Sequence, residues 1–236
     1  MEHRRLHRWD VTPQEALAIQ RDLRLLMLAQ DEGRAAFQTV AAMDVSYDKR
    51  SPWLFAAVVL VQLPGFQIVE TVAVRAQARF PYVPGLLSFR ESPAGLEAWE
   101  KLQRRPDCLI CDGHGYAHPR RFGFACHFGL LVDVPTIGFA KSILVGSCAP
   151  PGAARGSASD LVEASEVIGA AVRSREGADP VFVSVGHRIS LARAVDTILT
   201  CSPRYRIPEP VRLAHALANR LRQAGTVPSA TGTLFE

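Results

Sequence analysis

Asp44 lies inside an apolar run, with Ala41-Ala42-Met43 before it and Val45 after it, and Asp112 closes a second run, Cys108-Leu109-Ile110-Cys111. A carboxylate in a strand core is expensive to bury unless something pairs with it. In the parallel portions of α/β sheets, ligands gather beyond the strand ends, so two neighbouring strands would let these acids converge. Two hard oxygen ligands with water positions left open suit Mg²⁺, which seldom takes a full protein cage. Taken singly, each acid also reads as a turn residue, Asp44 as a cap and Asp112 as a start. The segments around them favour the metal.

Phe80-Pro81-Tyr82-Val83-Pro84-Gly85-Leu86-Leu87-Ser88-Phe89-Arg90-Glu91 places prolines on both sides of Tyr82 and stiffens the backbone there. A rigid aromatic tip of this kind suits a wedge or a stacking platform against bases. Gly85 permits close backbone approach to a ligand. Glu91 reads either as a third carboxylate for the metal or as a solvated residue on the first turn of a helix. Asp112-Gly113-His114-Gly115-Tyr116-Ala117-His118-Pro119-Arg120-Arg121 gathers an acid, two glycines, two histidines and two arginines. The glycines allow a tight cavity wall, the arginines suit phosphate, and either histidine suits proton transfer or hydrogen bonding. A polar loop with surface histidines is the alternative. Lys141, after Ile137-Gly138-Phe139-Ala140, is placed to hold a phosphate or an attacking water. His187 and His215 are further candidates, His215 on the same helical face as Arg212.

These residues need a scaffold, and the hydrophobic pattern supplies one. Thr12-Pro13-Gln14-Glu15 is a capping box opening a helix, with Ala16, Ile19, Leu23, Leu26 and Met27 at helical spacing. Residues 40–47, 54–63 and 67–76 read as an antiparallel meander turning at Pro64-Gly65. Further on, helices are expected over 95–102, 122–132, 190–199 and 209–222, and strands over 107–111, 135–140, 161–171 and 181–185. Short buried strands alternating with helices give an α/β mixed sheet with a parallel portion and helices on both faces. Residues 146–159 read as a surface loop, and 224–236 as a flexible tail on a single domain spanning 1–236.

The 236 residues carry 27 Lys plus Arg against 23 Asp plus Glu, a net charge of +4, with 48% hydrophobic and 21% charged residues. That balance excludes a disordered chain and a disulfide-dense miniprotein, and the slight excess of base mildly favours an anionic partner. No apolar run reaches the ~18–20 residues of a membrane span, and no signal core follows the basic Met1–Arg5. The expectation is a cytoplasmic protein with no membrane partner. Five cysteines fit reduced thiols. Cys108 and Cys111, three apart on a strand, face opposite sides and cannot readily share a metal.

Met43-Asp44-Val45-Ser46-Tyr47, the segment Pro81–Glu91, Asp112-Gly113-His114-Gly115 with His118-Pro119-Arg120-Arg121, Ile137–Lys141, Val185-Gly186-His187-Arg188 and Tyr205–Arg212 occur together and in this order. In these motifs, over about Gln14 to Leu221, the chain resembles the endonuclease V family, deoxyinosine-directed repair nucleases of ribonuclease H-like fold. The resemblance implies that Asp44 and Asp112 bind Mg²⁺, for which Mn²⁺ substitutes, with Glu91 close by as a further ligand. Lys141 then faces the scissile phosphate, and His215 falls at a metal-proximal catalytic position. Tyr82, with Pro81, Val83, Pro84, Gly85 and Leu87, belongs to the wedge and lesion contact, joined by Gly113 and His118. The implied substrate is DNA containing deaminated bases, nicked by a monomer at the second phosphodiester 3′ to the lesion to leave a 3′-hydroxyl and a 5′-phosphate. Backbone groups around Gly85 and Gly113 are expected to read the base, which must first leave the stack.

Three rivals differ in class. An inosine-specific endoribonuclease keeps the chemistry and changes the sugar. A non-catalytic lesion binder has no need of clustered carboxylates. A sugar-kinase-like phosphotransferase shares early strand acids and would turn over ATP; other nucleotide triphosphatases are disfavoured because no Gly-x4-Gly-Lys-Ser/Thr loop is present.

Overall fold

The structure, a computed structural model, describes residues 1–31, 36–48 and 50–226. Along the chain run α1 (Pro13–Arg24), β1 (Thr39–Tyr47), β2 (Trp53–Gln62), β3 (Gln67–Gln77), α2 (Leu87–Lys101), β4 (Cys108–Asp112), α3 (Phe124–Val132), β5 (Thr136–Ala140), β6 (Ala158–Glu163), β7 (Glu166–Val172), β8 (Val181–His187), α4 (Leu191–Thr200) and α5 (Glu209–Ala224). The strands form one 8-stranded sheet in the order β3-β2-β1-β4-β5-β8-β7-β6. β1, β4 and β5 are parallel, and antiparallel strands flank them on both sides. Parallel neighbours end at the same edge of the sheet, so the last residues of β4 and β5 and the middle of the longer β1 share one rim.

Strand alternation divides the core in two. Val40, Ala42, Cys108 and Ile110 face one side, where Val211, Ala214, Leu217, Ala218 and Leu221 of α5 cover them. Ala41, Met43, Leu109 and Cys111 face the other, beneath Trp99 of α2 and Phe128 of α3. Helices therefore cover both faces, as the hydrophobic pattern predicts. The two cysteines lie in opposite cores, fully buried. α5 has its apolar residues at positions 211, 214, 217, 218 and 221, one stripe of a 3.6-residue helix, which leaves His215 at the stripe's margin. α1 begins with the capping box: the Thr12 hydroxyl accepts from Glu15 N, and the Glu15 carboxylate accepts from Thr12 N.

Two elements depart from the sequence reading. α2 begins at Leu87, eight residues before the expected start at Gly95, and carries Pro93 in its interior. An interior proline costs about 3 kcal/mol, and here the burial of Phe89, Ala94, Leu96 and Trp99 offsets it. The strand structure expected over 161–171 takes the form of a hairpin, β6 and β7, turned at Ala164 and Ser165 with φ of 51° and 66°. This is the left-handed pair of a tight hairpin turn, made without the Asn or Gly that usually announces one. The expected loop 146–159 closes with the first residues of β6 and a bridge from Ser147 to Val162. Beyond Thr226 the expected tail lies outside the described residues. Among the described residues, no helix is long and apolar enough to cross a membrane.

Candidate metal centre and base recess

β1 and β4 are paired in register from Val40↔Cys108 to Met43↔Cys111. Asp44 and Asp112 are the next residue on each strand, so they stand side by side on the face covered by α5. His215 reaches them from that helix. Ligand atoms of Asp44, Asp112 and His215 all lie within 4.8 Å of one another. His215 Nδ1 is 2.7 Å from Asp44 Oδ2, and Lys141 Nζ, one residue past the end of β5, donates to Asp112 Oδ2 at 2.8 Å.

The surroundings bias each group. Burial, reinforced by the Asp44 charge, pushes the Asp112 carboxyl above its ordinary range, with Lys141 pulling the other way. The hydrogen bond to Asp44 raises His215, against partial burial. Glu91 enters from α2, on the opposite face of the sheet. It is 6% exposed, and burial together with the Asp44 charge holds it well above the usual carboxylate range. Glu91 interacts with Asp44 and Asp112 through their charges but does not belong to the cluster within 4.8 Å. Asp44, Asp112 and His215, with the buried Glu91 behind them and Lys141 and Arg90 as counter-charges, form a donor set that suits a divalent cation.

A second line of polar contacts holds His215. Asn219, one turn on along α5, donates from Nδ2 to His215 Nε2 at 2.9 Å, and its Oδ1 accepts from the Ser46 hydroxyl at 2.7 Å. Arg222 Nε donates to the same Ser46 oxygen at 2.9 Å. With Nε2 accepting, a neutral His215 carries its proton on Nδ1, directed at Asp44. Sequence reasoning missed Asn219, although the i+4 step from His215 on one helix face was available as a signal.

Beside this cluster is a recess of about 170 Å³, mostly apolar, whose wall includes Tyr82, Val83, Pro84, Gly85, Leu87 and Ser88 on one side and Gly113, His114, His118 and Phe124 on the other. Phe80 and Leu86 are buried and pin both ends of the Pro81–Gly85 loop, whereas Tyr82 between them is 63% exposed. Arg90 Nη1 ties the base of the loop to α2 by donating to Phe80 O at 2.8 Å. Gly85, at φ +77°, offers a carbonyl that accepts from Gln20 Nε2, His118 Nε2 and Arg120 Nη2 at 3.1, 3.1 and 2.6 Å. His118 also accepts at Nδ1 from Arg120 N, so its proton sits on Nε2. Burial and the Arg120 charge lower His118 to about 4.

Several sequence expectations are corrected by these contacts. The Gly85 carbonyl accepts three side-chain hydrogen bonds and Gly113 N donates to Phe139 O at 2.8 Å, so base reading by the backbone here would fall to the other groups around these two glycines. Arg120 and Arg121, expected on phosphate, are committed to protein: Arg120 to Gln20 and Gly85, Arg121 to Glu166 and His118 O. His187 lies at the opposite end of the sheet, paired in register with Thr136 at the start of β5, where it accepts from Leu28 N and approaches Asp133. Gln20 and Ser88, which also wall the recess, were not legible as site residues.

The endonuclease V family model matches residues 21–216. Endonuclease V of Gloeobacter violaceus is 48% identical over 222 residues, covering 93% of this chain and 90% of that protein. The crystal structure of endonuclease V from Streptomyces avermitilis superposes with a TM-score of 0.88 at 42% identity, covering 93% of this chain and 96% of that one. Ciona intestinalis endonuclease V, solved in complex with a 24mer DNA containing an inosine followed by a ribo-adenosine, superposes with a TM-score of 0.78 at 25% identity over 89% of this chain and 98% of that one. The fold is ribonuclease H-like, and this chain belongs to the endonuclease V family of nucleases.

Proposed function

We infer that this chain, acting as one monomeric domain in the cytoplasm, nicks DNA at deoxyinosine. It hydrolyses the second phosphodiester 3′ to the lesion and leaves a 3′-hydroxyl and a 5′-phosphate. The observation that carries this reading is the meeting of Asp44, Asp112 and His215 within 4.8 Å, with Gly113, the residue after Asp112, in the wall of a recess of about 170 Å³. The Ciona relative crystallised on inosine-containing DNA supports the substrate.

Asp44 and Asp112 would hold Mg²⁺, or Mn²⁺ in its place, with His215 adjoining and Glu91 behind them. When bound there, the ion would supply Lewis acidity toward the phosphate and activation of the attacking water. Lys141 stands at the same rim and stabilises charge that builds on the phosphate. His215 holds a proton at Nδ1 against Asp44 and keeps that carboxylate oriented. In-line attack by water then breaks the P–O3′ bond.

The base reaches the recess by leaving the stack, which costs a few kcal/mol and least for a weakly paired lesion. Tyr82, rigid between Pro81 and Val83-Pro84, fills the vacated space. Hypoxanthine presents O6 as an acceptor and N1–H as a donor. The first-turn amides of α2, at Leu87 and Ser88, have no intrahelical acceptor and are donors suited to O6. His118 contributes by fixing Gly85, and Gly113 keeps the opposite wall free of a side chain.

The test is incubation of an end-labelled duplex bearing one deoxyinosine, with Mg²⁺ or with chelator, and mapping of the product ends. A single Mg²⁺-dependent cut at the second 3′ phosphodiester is expected; an intact duplex, or a cut at unmodified sites, contradicts the reading. The ribo-adenosine after inosine in the Ciona ligand favours inosine in RNA as a second reading. A matched RNA oligonucleotide in the same assay decides between them.

A further inference from the structure

Two histidines that the proposed chemistry does not use lie behind the recess. His127 is on α3 and fully buried; His7, from the segment before α1, meets it with the two Nε2 atoms 2.7 Å apart. His7 Nδ1 is 2.7 Å from the Arg8 carbonyl, and His127 Nδ1 is 3.0 Å from Ser88 Oγ. Trp9 stacks on the His127 ring at 5.5 Å between centroids, and Phe89 lies 5.0 Å from it, so the ring is clamped in one orientation. Burial lowers the pKa of both imidazoles, that of His127 most strongly, and keeps them neutral.

The direction of every proton in this chain follows from donor chemistry. A carbonyl only accepts, so His7 carries its proton on Nδ1. A neutral imidazole has one proton, so His7 Nε2 accepts, and the contact between the two rings requires His127 to donate from Nε2. His127 Nδ1 is then an acceptor, and the Ser88 hydroxyl must donate to it. Ser88 is 2% exposed and forms part of the recess wall. With its proton committed to His127, its oxygen has only lone pairs for any further partner.

We propose that His7 and His127 form a relay that fixes Ser88 Oγ as an acceptor for the N1–H of an everted 6-oxopurine. This deepens the reading of function above and rests on it. Adenine carries a lone pair at N1 where hypoxanthine carries a proton, so a fixed acceptor attracts one base and repels the other. Ser88 is the specificity-determining residue, with its amide near O6 and its oxygen at N1; His7 and His127 are positioning residues that act through it.

Two measurements test the relay. Long-range ¹H–¹⁵N correlation of the histidine rings in the intact protein reads the tautomers: a protonated Nδ1 on His7 and a protonated Nε2 on His127 are expected, and the reverse at either ring overturns the proposal. Nicking of duplexes carrying deoxyinosine or 2′-deoxynebularine, whose purine lacks both O6 and the N1 proton, reads the consequence. Ser88→Ala is expected to lower kcat/KM on inosine about tenfold, the worth of one good hydrogen bond, and to raise nicking of nebularine, whose N1 lone pair no longer faces the Ser88 oxygen. His7→Leu, which removes the acceptor from His127, lowers the inosine-to-nebularine ratio, and His7→Gln, which restores an acceptor, recovers it. Equal losses on both duplexes, or a ratio that Ser88→Ala does not move, overturn the role of Ser88. Wild-type protein that nicks neither duplex removes the substrate itself, a failure of the functional reading that the ring tautomers register separately.

Discussion

His215 Nδ1 lies 2.7 Å from Asp44 Oδ2, joining α5 to the middle of β1 across 171 residues of sequence. Asp44 is thereby oriented by the Nδ1 proton of neutral His215 before any cation arrives. A second proton, taken up at Nε2, turns the ring into a cation beside the metal ligands, and its charge competes with that of the metal. The His215 pKa is raised by its bond to Asp44, so the competition is strongest at acid pH. Mg²⁺ affinity is expected to fall as pH drops through the His215 value, which the bond to Asp44 raises above the ordinary 6.5. Calorimetric titration at several pH values checks this, and His215→Asn flattens the dependence.

Removing either strand acid removes a ligand. Asp44→Ala and Asp112→Ala are each expected to cut nicking by about a thousandfold or more, the several kcal/mol that a Lewis acid supplies at the transition state. Gel assay of the inosine duplex in Mg²⁺ measures it. Full activity of either variant would refute the metal assignment.

Glu91 gives a sign-definite prediction. Burial raises its pKa above the usual 4.5, so the metal-free folded state prefers the protonated form. The stability that Glu91 contributes is complete below the unfolded-state value and is lost as pH rises through the raised one. In chelator at alkaline pH, Glu91→Gln is expected to melt a few degrees higher than wild type, on the order of 2–4 °C for each kcal/mol relieved, while nicking more slowly in Mg²⁺. A lower melting temperature in chelator contradicts the assignment of a strained buried carboxylate.

Much of this centre is legible in the sequence because it obeys local rules. An acid inside an apolar strand and an acid at the end of another are visible one at a time, and parallel pairing makes them neighbours. Opposite-facing Cys108 and Cys111 follow from strand alternation alone. What escapes reading is set by tertiary packing. The start of α2 is hidden because Pro93 argues locally against a helix that Phe89 and Trp99 stabilise from within the core. The β6–β7 turn is hidden because Ala164 and Ser165 carry no left-handed preference. Gln20 shows no sign of holding Gly85, which is 65 residues away, and His127 lies in an apolar helix where its pairing with His7 leaves no trace in the sequence.

Tyr82 is exposed and its loop is anchored by Phe80 and Leu86, so its aromatic ring can be removed without unfolding the loop. Tyr82→Ala is expected to weaken binding to the inosine duplex by about 1–3 kcal/mol, the worth of one aromatic–base stack, with melting temperature and Mg²⁺ affinity unchanged. Fluorescence anisotropy on inosine and undamaged duplexes reads the difference, and unchanged affinity for inosine counts against the wedge.

Gly85 adopts a left-handed backbone, and a Cβ there would meet Arg120 Nη2 at 2.6 Å. Gly85→Ala is expected to lose about 1–2 kcal/mol of stability from backbone strain alone. It also displaces the Arg120 contact that shapes the recess. Urea unfolding gives the first effect, and inosine-duplex affinity the second.

Asp44 and Asp112 are expected to grip one divalent cation beside the base recess. Crystals soaked in Mn²⁺ and measured at the manganese edge test it most directly. An anomalous peak within about 2.0–2.3 Å of a carboxylate oxygen from each aspartate is the predicted result. A map with no peak between them, or with its only peak elsewhere on the molecule, contradicts the claim.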